Sequence, residues 1–388
     1  MGRCGQVVVR YLRAASVMLG LAVCNGEEGK SGALRSGAFT VGDYEVIILS
    51  GVKHVYNLGL DAQGQLYLPQ FIEGTVLKLS PTFDLLATLC GPVGGWYAYP
   101  RQCTPVDQDK PDAGRRFHRP HTVAPDDDGN LYVVEYKASR IGKFTAGGEF
   151  IRYLGSTSDP VALQGPVAAW PEKDGYVYVG DARAHIVVRY RSDGTFAGWM
   201  GAGEGGSIQP GFRFDRLHTA ASAQAGGFNN PHLVRYGPDG NLYVADTGNN
   251  RIQKFTKDGR VVGWLGGKGG NAEAGGWQIH GRVRPEVRLG AFASPVSFDF
   301  DVNDNLYVVE NENCRVQKFT ADGMAVAWFG RSNDGTIGWQ IGGASVPGSE
   351  PGAFKFPYDV RVYGSRIYVS DTHNARVQVI SARVASSR

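Results

Sequence analysis

A phrase of about forty residues, "FNNPHLVRYGPDGNLYVADTGNNRIQKFTKDGRVVGWLG" from Phe228, recurs with variations along this chain, and that repetition limits the fold more than any other property of the sequence. The copies begin near Val55, Phe117, Val161, Phe228, Phe292 and Phe354. Their most constant part is a polar turn followed by an alternating strand: "AQGQLYLPQ", "DDDGNLYVVE", "EKDGYVYVGD", "GPDGNLYVAD", "DVNDNLYVVE" and "YGSRIYVSD".

Each unit divides into four short strands separated by Asp-Gly or Asn turns. Apolar residues alternate with period two, which predicts one buried face per strand. A four-stranded sheet alone leaves such a face in water, whereas six sheets packed radially cover one another. The expectation is an all-β, six-bladed β-propeller with four-stranded blades. The last unit, Phe354 to Arg383, stops after its third strand, "ARVQVISAR". "DYEVIILSG" (Asp43 to Gly51) reads like "DGRVVGWLG" (Asp258 to Gly266), so an N-terminal strand is expected to complete the last blade and remove a free edge. The repeats, typified by "NLYVADTGNNRIQKF", resemble the NHL-repeat family, whose propellers serve enzymes, sensors and scaffolds alike; the resemblance covers residues 41–383.

The first residues differ in kind. Arg3, Arg10 and Arg13 precede an apolar stretch from Ala14 to Val23, followed by polar, Gly-rich sequence. We read 1–26 as a signal peptide or disordered N-terminus, 27–40 as a linker, 41–383 as the propeller and 384–388 as a tail. The chain is expected to be exported, periplasmic or extracellular; "LAVC" around Cys24 raises lipid anchoring as a minor alternative. No later run approaches the apolar length of a membrane span. In an exported chain Cys90 and Cys103 are the pair expected to bridge, leaving Cys314 odd. With Lys+Arg 40 against Asp+Glu 37 the net charge is +3, too little for a nucleic-acid footprint.

Acid–base pairs recur in the units: Glu135 with Arg140, Asp246 with Arg251, Glu310 with Arg315, and Asp371 with Arg376. A catalytic pair is needed once and a strut in every blade, so these are read as scaffold. The acidic turns around Asp126 to Asp128 lack EF-hand spacing and are read as hairpin turns. Four inter-blade connections, roughly 92–116, 202–227, 267–291 and 331–353, are far longer than a hairpin needs, and such loops gather function. Three carry Trp96, Trp277 and Trp339, which either plug their own loops or form a rim for a protein, peptide or glycan.

Aligned on the "LY" landmark, the start of each inner strand places Tyr56, His121, Val167, His232, Val296 and Tyr358 at one register around the channel mouth. Alternate blades are a third of a turn apart, so His121, His232 and Tyr358 would converge on the axis. The pattern resembles the peptidyl-hydroxyglycine amidating lyases, in which Pro-His motifs at this place supply three histidines to zinc. That resemblance implies His121 and His232 as ligands of zinc or another divalent metal, with Tyr358 where the third histidine would stand. Two readings follow: a binding module working through the long-loop face, or a metal-dependent lyase or hydrolase with Tyr56 and Tyr358 as candidate acid–base groups.

Overall fold

The computed structural model describes residues 34–92, 95–98, 116–155, 158–215, 219–266, 276–278 and 285–383. They form six antiparallel sheets whose inner strands, Gly59–Leu60, Pro120–Pro125, Pro166–Pro171, Pro231–Tyr236, Pro295–Phe300 and Asp359–Tyr363, surround the axis of a six-bladed propeller. The first 33 residues, with the expected signal segment and Cys24, lie outside the described residues, as do the tail and Cys103.

In five of the six blades the turn between the first two strands is fixed by an aspartate folding back on its own backbone, the last blade turning at Gly364 instead. Asp126 Oδ1 accepts hydrogen bonds from the Asp128 and Asn130 amides, and Asp301 does the same for Asn303 and Asn305. In several blades the second-strand tyrosine then donates its hydroxyl to that aspartate, as Tyr67 does to Asp61 and Tyr243 to Asp239. The carboxylates are thus engaged in the turns, as the hairpin reading requires.

The last blade closes as the sequence implies. Tyr44–Ser50 pairs with Arg376–Ala382, from Tyr44 opposite Ala382 to Ser50 opposite Arg376. Beyond it Arg35–Val41 adds a further strand, so the sheet reaches into the segment 27–40 read as linker.

The four-stranded blades carry additions, because pieces of the long connections join the outer edge of some of them, as Trp96–Ala98 and Ile337–Gln340 do. Central strands are covered on both faces, as radial packing requires. Leu131–Glu135, Leu242–Asp246 and Leu306–Glu310 are buried at every residue, with blades on both sides; of the fourth strands Phe150–Leu154 is largely exposed, whereas Phe196–Gly203 is buried beyond its first residue.

The core is accordingly a set of seams between blades. In one seam Tyr67, Val76 and Leu89 of the first blade meet Phe117, Val123, Leu131 and Phe144 of the second. The phenylalanine opening a repeat packs on the one ending its third strand: Phe117 on Phe144 at 5.5 Å between centroids, Phe228 on Phe255 at 5.7 Å, and Phe292 on Phe319 at 5.5 Å.

Candidate functional site

Three of the four repeated acid–base pairs are buried struts, while Arg140, bidentate on buried Glu135, is one-third exposed. Arg251 Nε lies 2.7 Å from Asp246 Oδ2, and the remaining guanidinium nitrogens donate to the carbonyls of Ala223, Gln224 and Gly227 in the preceding connection. Arg315 with Glu310 and Arg376 with Asp371 repeat the arrangement. Each pair ties the loop that leads to an inner strand onto the second and third strands of that blade, and so fixes where the inner strand begins.

The next residues control its direction. His54, Arg119, Asn230, Ser294 and Phe356 all have positive φ, between 44° and 54°, although none is glycine. Side chains hold an L-residue there at a cost of about 1–2 kcal/mol each, and here neighbouring blades supply the restraint. The amide of Asn230 donates to His185 Nδ1, that of Ser294 to Asn250 Oδ1, and that of Phe356 to Cys314 Sγ. Two residues after each left-handed position come Tyr56, His121, His232, Val296 and Tyr358. The repeated strut therefore aims that register at the axis.

There the expected residues come together. The Tyr56 and His121 rings stack at 4.5 Å with 10° between their planes, and Tyr358 meets Tyr56 edge-on at 4.6 Å and His121 at 5.3 Å. The Tyr358 hydroxyl lies 3.0 Å from His232 Nδ1. With Phe71, Tyr136, Arg183, Asn230, Phe356 and His373, among others, they line a cavity of about 420 Å³ on the face where the inner strands start. No Asp or Glu lines it.

The site is electrically quiet. Burial, reinforced by neighbouring His232, pushes His121 down to about 3, and burial pushes His232 down to about 4, so both imidazoles are neutral at pH 7. Burial raises Tyr56 and holds Tyr358 well above the ordinary phenol range. His121 Nδ1 is 2.7 Å from the Val167 carbonyl oxygen, which also receives Thr122 Oγ1 and Asn57 Nδ2. A carbonyl only accepts, so Nδ1 of His121 carries the proton.

These donors do not fit a divalent cation. Among the described residues no three His, Cys, Asp or Glu side chains come together to hold one. His121, His232 and Tyr358 would offer two neutral nitrogens and a phenol that burial keeps protonated, with the phenol already hydrogen-bonded to His232. Two loop histidines, His218 and His280, lie outside the described residues, while a third, His373, lines the mouth.

One layer deeper, three residues along each inner strand, stand Gly59, Ala124, Trp170, Arg235, Asp299 and Arg361. Trp170 lies against both Arg361, at 4.2 Å, and Arg235, at 4.7 Å. Arg235 pairs with Asp299 at 2.7 Å and Arg361 with Asp359 at 3.1 Å. Gly59 is required opposite, because a Cβ there would lie 2.6 Å from the Val123 carbonyl oxygen. Large side chains thus cluster below the cavity, with Arg361 Nη1 and Nη2 lacking a hydrogen-bond partner among the described residues.

None of the three loop tryptophans lines the axial cavity. Each sits on an outer edge over a tyrosine–lysine pair: Trp96 by Tyr67 and Lys78, Trp277 by Tyr243 and Lys254, Trp339 by Tyr307, with Lys318 over that tyrosine. Phe212 takes the same role in the third blade against Tyr178 and Arg189. They plug their loops onto the blades.

Fold and site together define a six-bladed β-propeller with an aromatic pocket at its hub. Its fourth unit, residues 228–255, matches the family model of the NHL repeat. No curated protein sequence matches the chain. Among solved structures, a virginiamycin B lyase from Staphylococcus aureus is similar at 12% identity over 94% of this chain and 98% of that one, TM-score 0.51. A gluconolactonase from Xanthomonas campestris is similar at 15% identity over 94% and 100%, TM-score 0.52. An auxiliary nutrient binding protein from Bacteroides ovatus is similar at 13% identity over 87% and 71%, TM-score 0.52. At such identities the likeness is one of fold.

Proposed function

We propose that this propeller is a binding module that takes its ligand in the axial pocket of the long-loop face. The observation that carries the reading is the pocket itself: a cavity of about 420 Å³ walled by Tyr56, Phe71, Tyr136, Phe356 and Tyr358, with large side chains clustered below it. That size and aromatic lining suit a small molecule or one side chain of a peptide or protein partner. The struts that fix the wall are paid for in backbone strain at five positions, which suits a preformed site. The fold shared with an auxiliary nutrient binding protein is compatible with this reading.

The metal-dependent lyase or hydrolase has less support. Its metal lacks a ligand set, and histidines held to about 3 and about 4 are weak bases at neutral pH. Export belongs to the same proposal as the binding role, and the disulfide-bonded state of Cys90 suits an oxidising compartment. Cell fractionation with N-terminal sequencing of the recovered protein tests export; an intact N-terminus in the cytosolic fraction overturns it. For binding, Tyr56→Ala is expected to abolish the response of the protein to the small-molecule pool it recognises, measured by calorimetry. An unchanged isotherm would move the site away from the hub.

A further inference from the structure

The proton positions of the two histidines determine what the pocket wall can recognise. His121 uses Nδ1–H on the Val167 carbonyl, so its Nε2 carries a lone pair. His232 faces Tyr358. Were His232 Nδ1 the donor, the partly buried Tyr358 hydroxyl proton would have no acceptor among the described residues. With Tyr358 donating, both groups are satisfied, and Nε2 of His232 carries the proton. Both rings line the cavity with Nδ1 turned to protein, so the pocket presents one acceptor, His121 Nε2, beside one donor, His232 Nε2–H.

We propose that the axial pocket recognises a planar cyclic amide, the N–H/C=O edge shared by lactams and nucleobases, which donates to His121 Nε2 and accepts from His232 Nε2. The inference rests on the reading of this pocket as the ligand site. The aromatic walls provide faces for a flat ring. Among the described lining residues no carboxylate is present to bind sugar hydroxyls, neither histidine offers charge to an anion, and the guanidinium of Arg183 lies over the Tyr136 ring.

Ligand-observed NMR on the full chain tests this with four probes: uracil, its N,N′-dimethyl derivative, glucose and benzoate. Uracil is expected to bind, and dimethyluracil, equal in ring but without a donor, about ten-fold or more weakly. His121→Phe, which keeps a ring in place, is expected to lose that preference; should it fold poorly, Tyr358→Phe frees the His232 tautomer and is expected to narrow the same preference. Equal binding of uracil and dimethyluracil, or binding of glucose or benzoate in place of uracil, overturns the amide assignment and leaves a ligand pocket standing. Silence of all four probes overturns the assignment too. If, in addition, the fluorescence of a Tyr56→Trp variant is unmoved by any of them, the pocket reading falls with it.

Discussion

Gly180 faces the backbone carbonyl of His232 so closely that a Cβ on Gly180 would overlap the oxygen. Gly180 lies in the second strand of the third blade, and His232 opens the inner strand of the fourth. Where Gly180 stands, the other repeats carry Pro69, Val134, Ala245, Val309 and Ser370. Gly180→Ala is therefore expected to cost about 1–3 kcal/mol in chemical denaturation and to shift the His232 imidazole resonances, since the backbone must retreat. Stability and resonances equal to the parent would show that the approach is not restrictive.

The seams between blades give a second test. Phe117 and Phe228 are fully buried and each meets the phenylalanine ending its own blade's third strand. Truncation of either to alanine is expected to destabilise by about 3–5 kcal/mol, with little change in ligand affinity if the ring still closes.

The buried struts should behave as coupled pairs. Glu310 and Arg315 have no exposed side-chain surface. Arg315→Met leaves Glu310 buried without its counter-charge, and Glu310→Gln does the converse to Arg315. Each is expected to cost about 3–5 kcal/mol, and the double variant less than the sum, in a double-mutant cycle of denaturation midpoints.

Acid should weaken the fold through the hub. His121 is held at about 3 and His232 at about 4, both below the ordinary imidazole value. Between those values and about 6.5 the unfolded chain binds protons that the folded one does not, so stability is complete above that window and falls as pH drops through it. His121→Phe is expected to reduce the slope of stability against pH between pH 6 and 4 by up to one proton, about 1.4 kcal/mol per pH unit. An unchanged slope would mean that His121 is protonated in the native state or screened by solvent.

Chelation is expected to do nothing. The axial donors do not suit a divalent ion, so the melting temperature should be the same with and without EDTA. A drop on chelation, restored by zinc, would return His121 and His232 to the role of ligands.

The sequence made the blades legible because each second strand repeats the same turn and "LY" landmark. It also brought Tyr56, His121, His232 and Tyr358 to one register, because the αL-then-inner-strand spacing is the same in those blades. What stayed hidden depended on contacts between distant segments. Trp96, Trp277 and Trp339 became edge plugs because short loop pieces pair with fourth strands, and Gly-rich connections carry no alternation to signal it. Gly180 sits inside a strand, and the reason a side chain is excluded there lies in the neighbouring blade. The Trp170, Arg235 and Arg361 layer lay three residues along strands already aligned, but only its pairing across blades reveals it as a cluster.

The closing strand sets an order on synthesis. Val46 pairs with Ile380, so Tyr44–Ser50, joined to Arg35–Val41 on one edge, leaves its other edge without a partner until Arg376–Ala382 is made. That edge and its apolar face must wait through the interval, when unpaired strands are most prone to associate wrongly. Closing of the ring is then a late step, and a product lacking Arg376–Ala382 would be left as an open, adhesive arc.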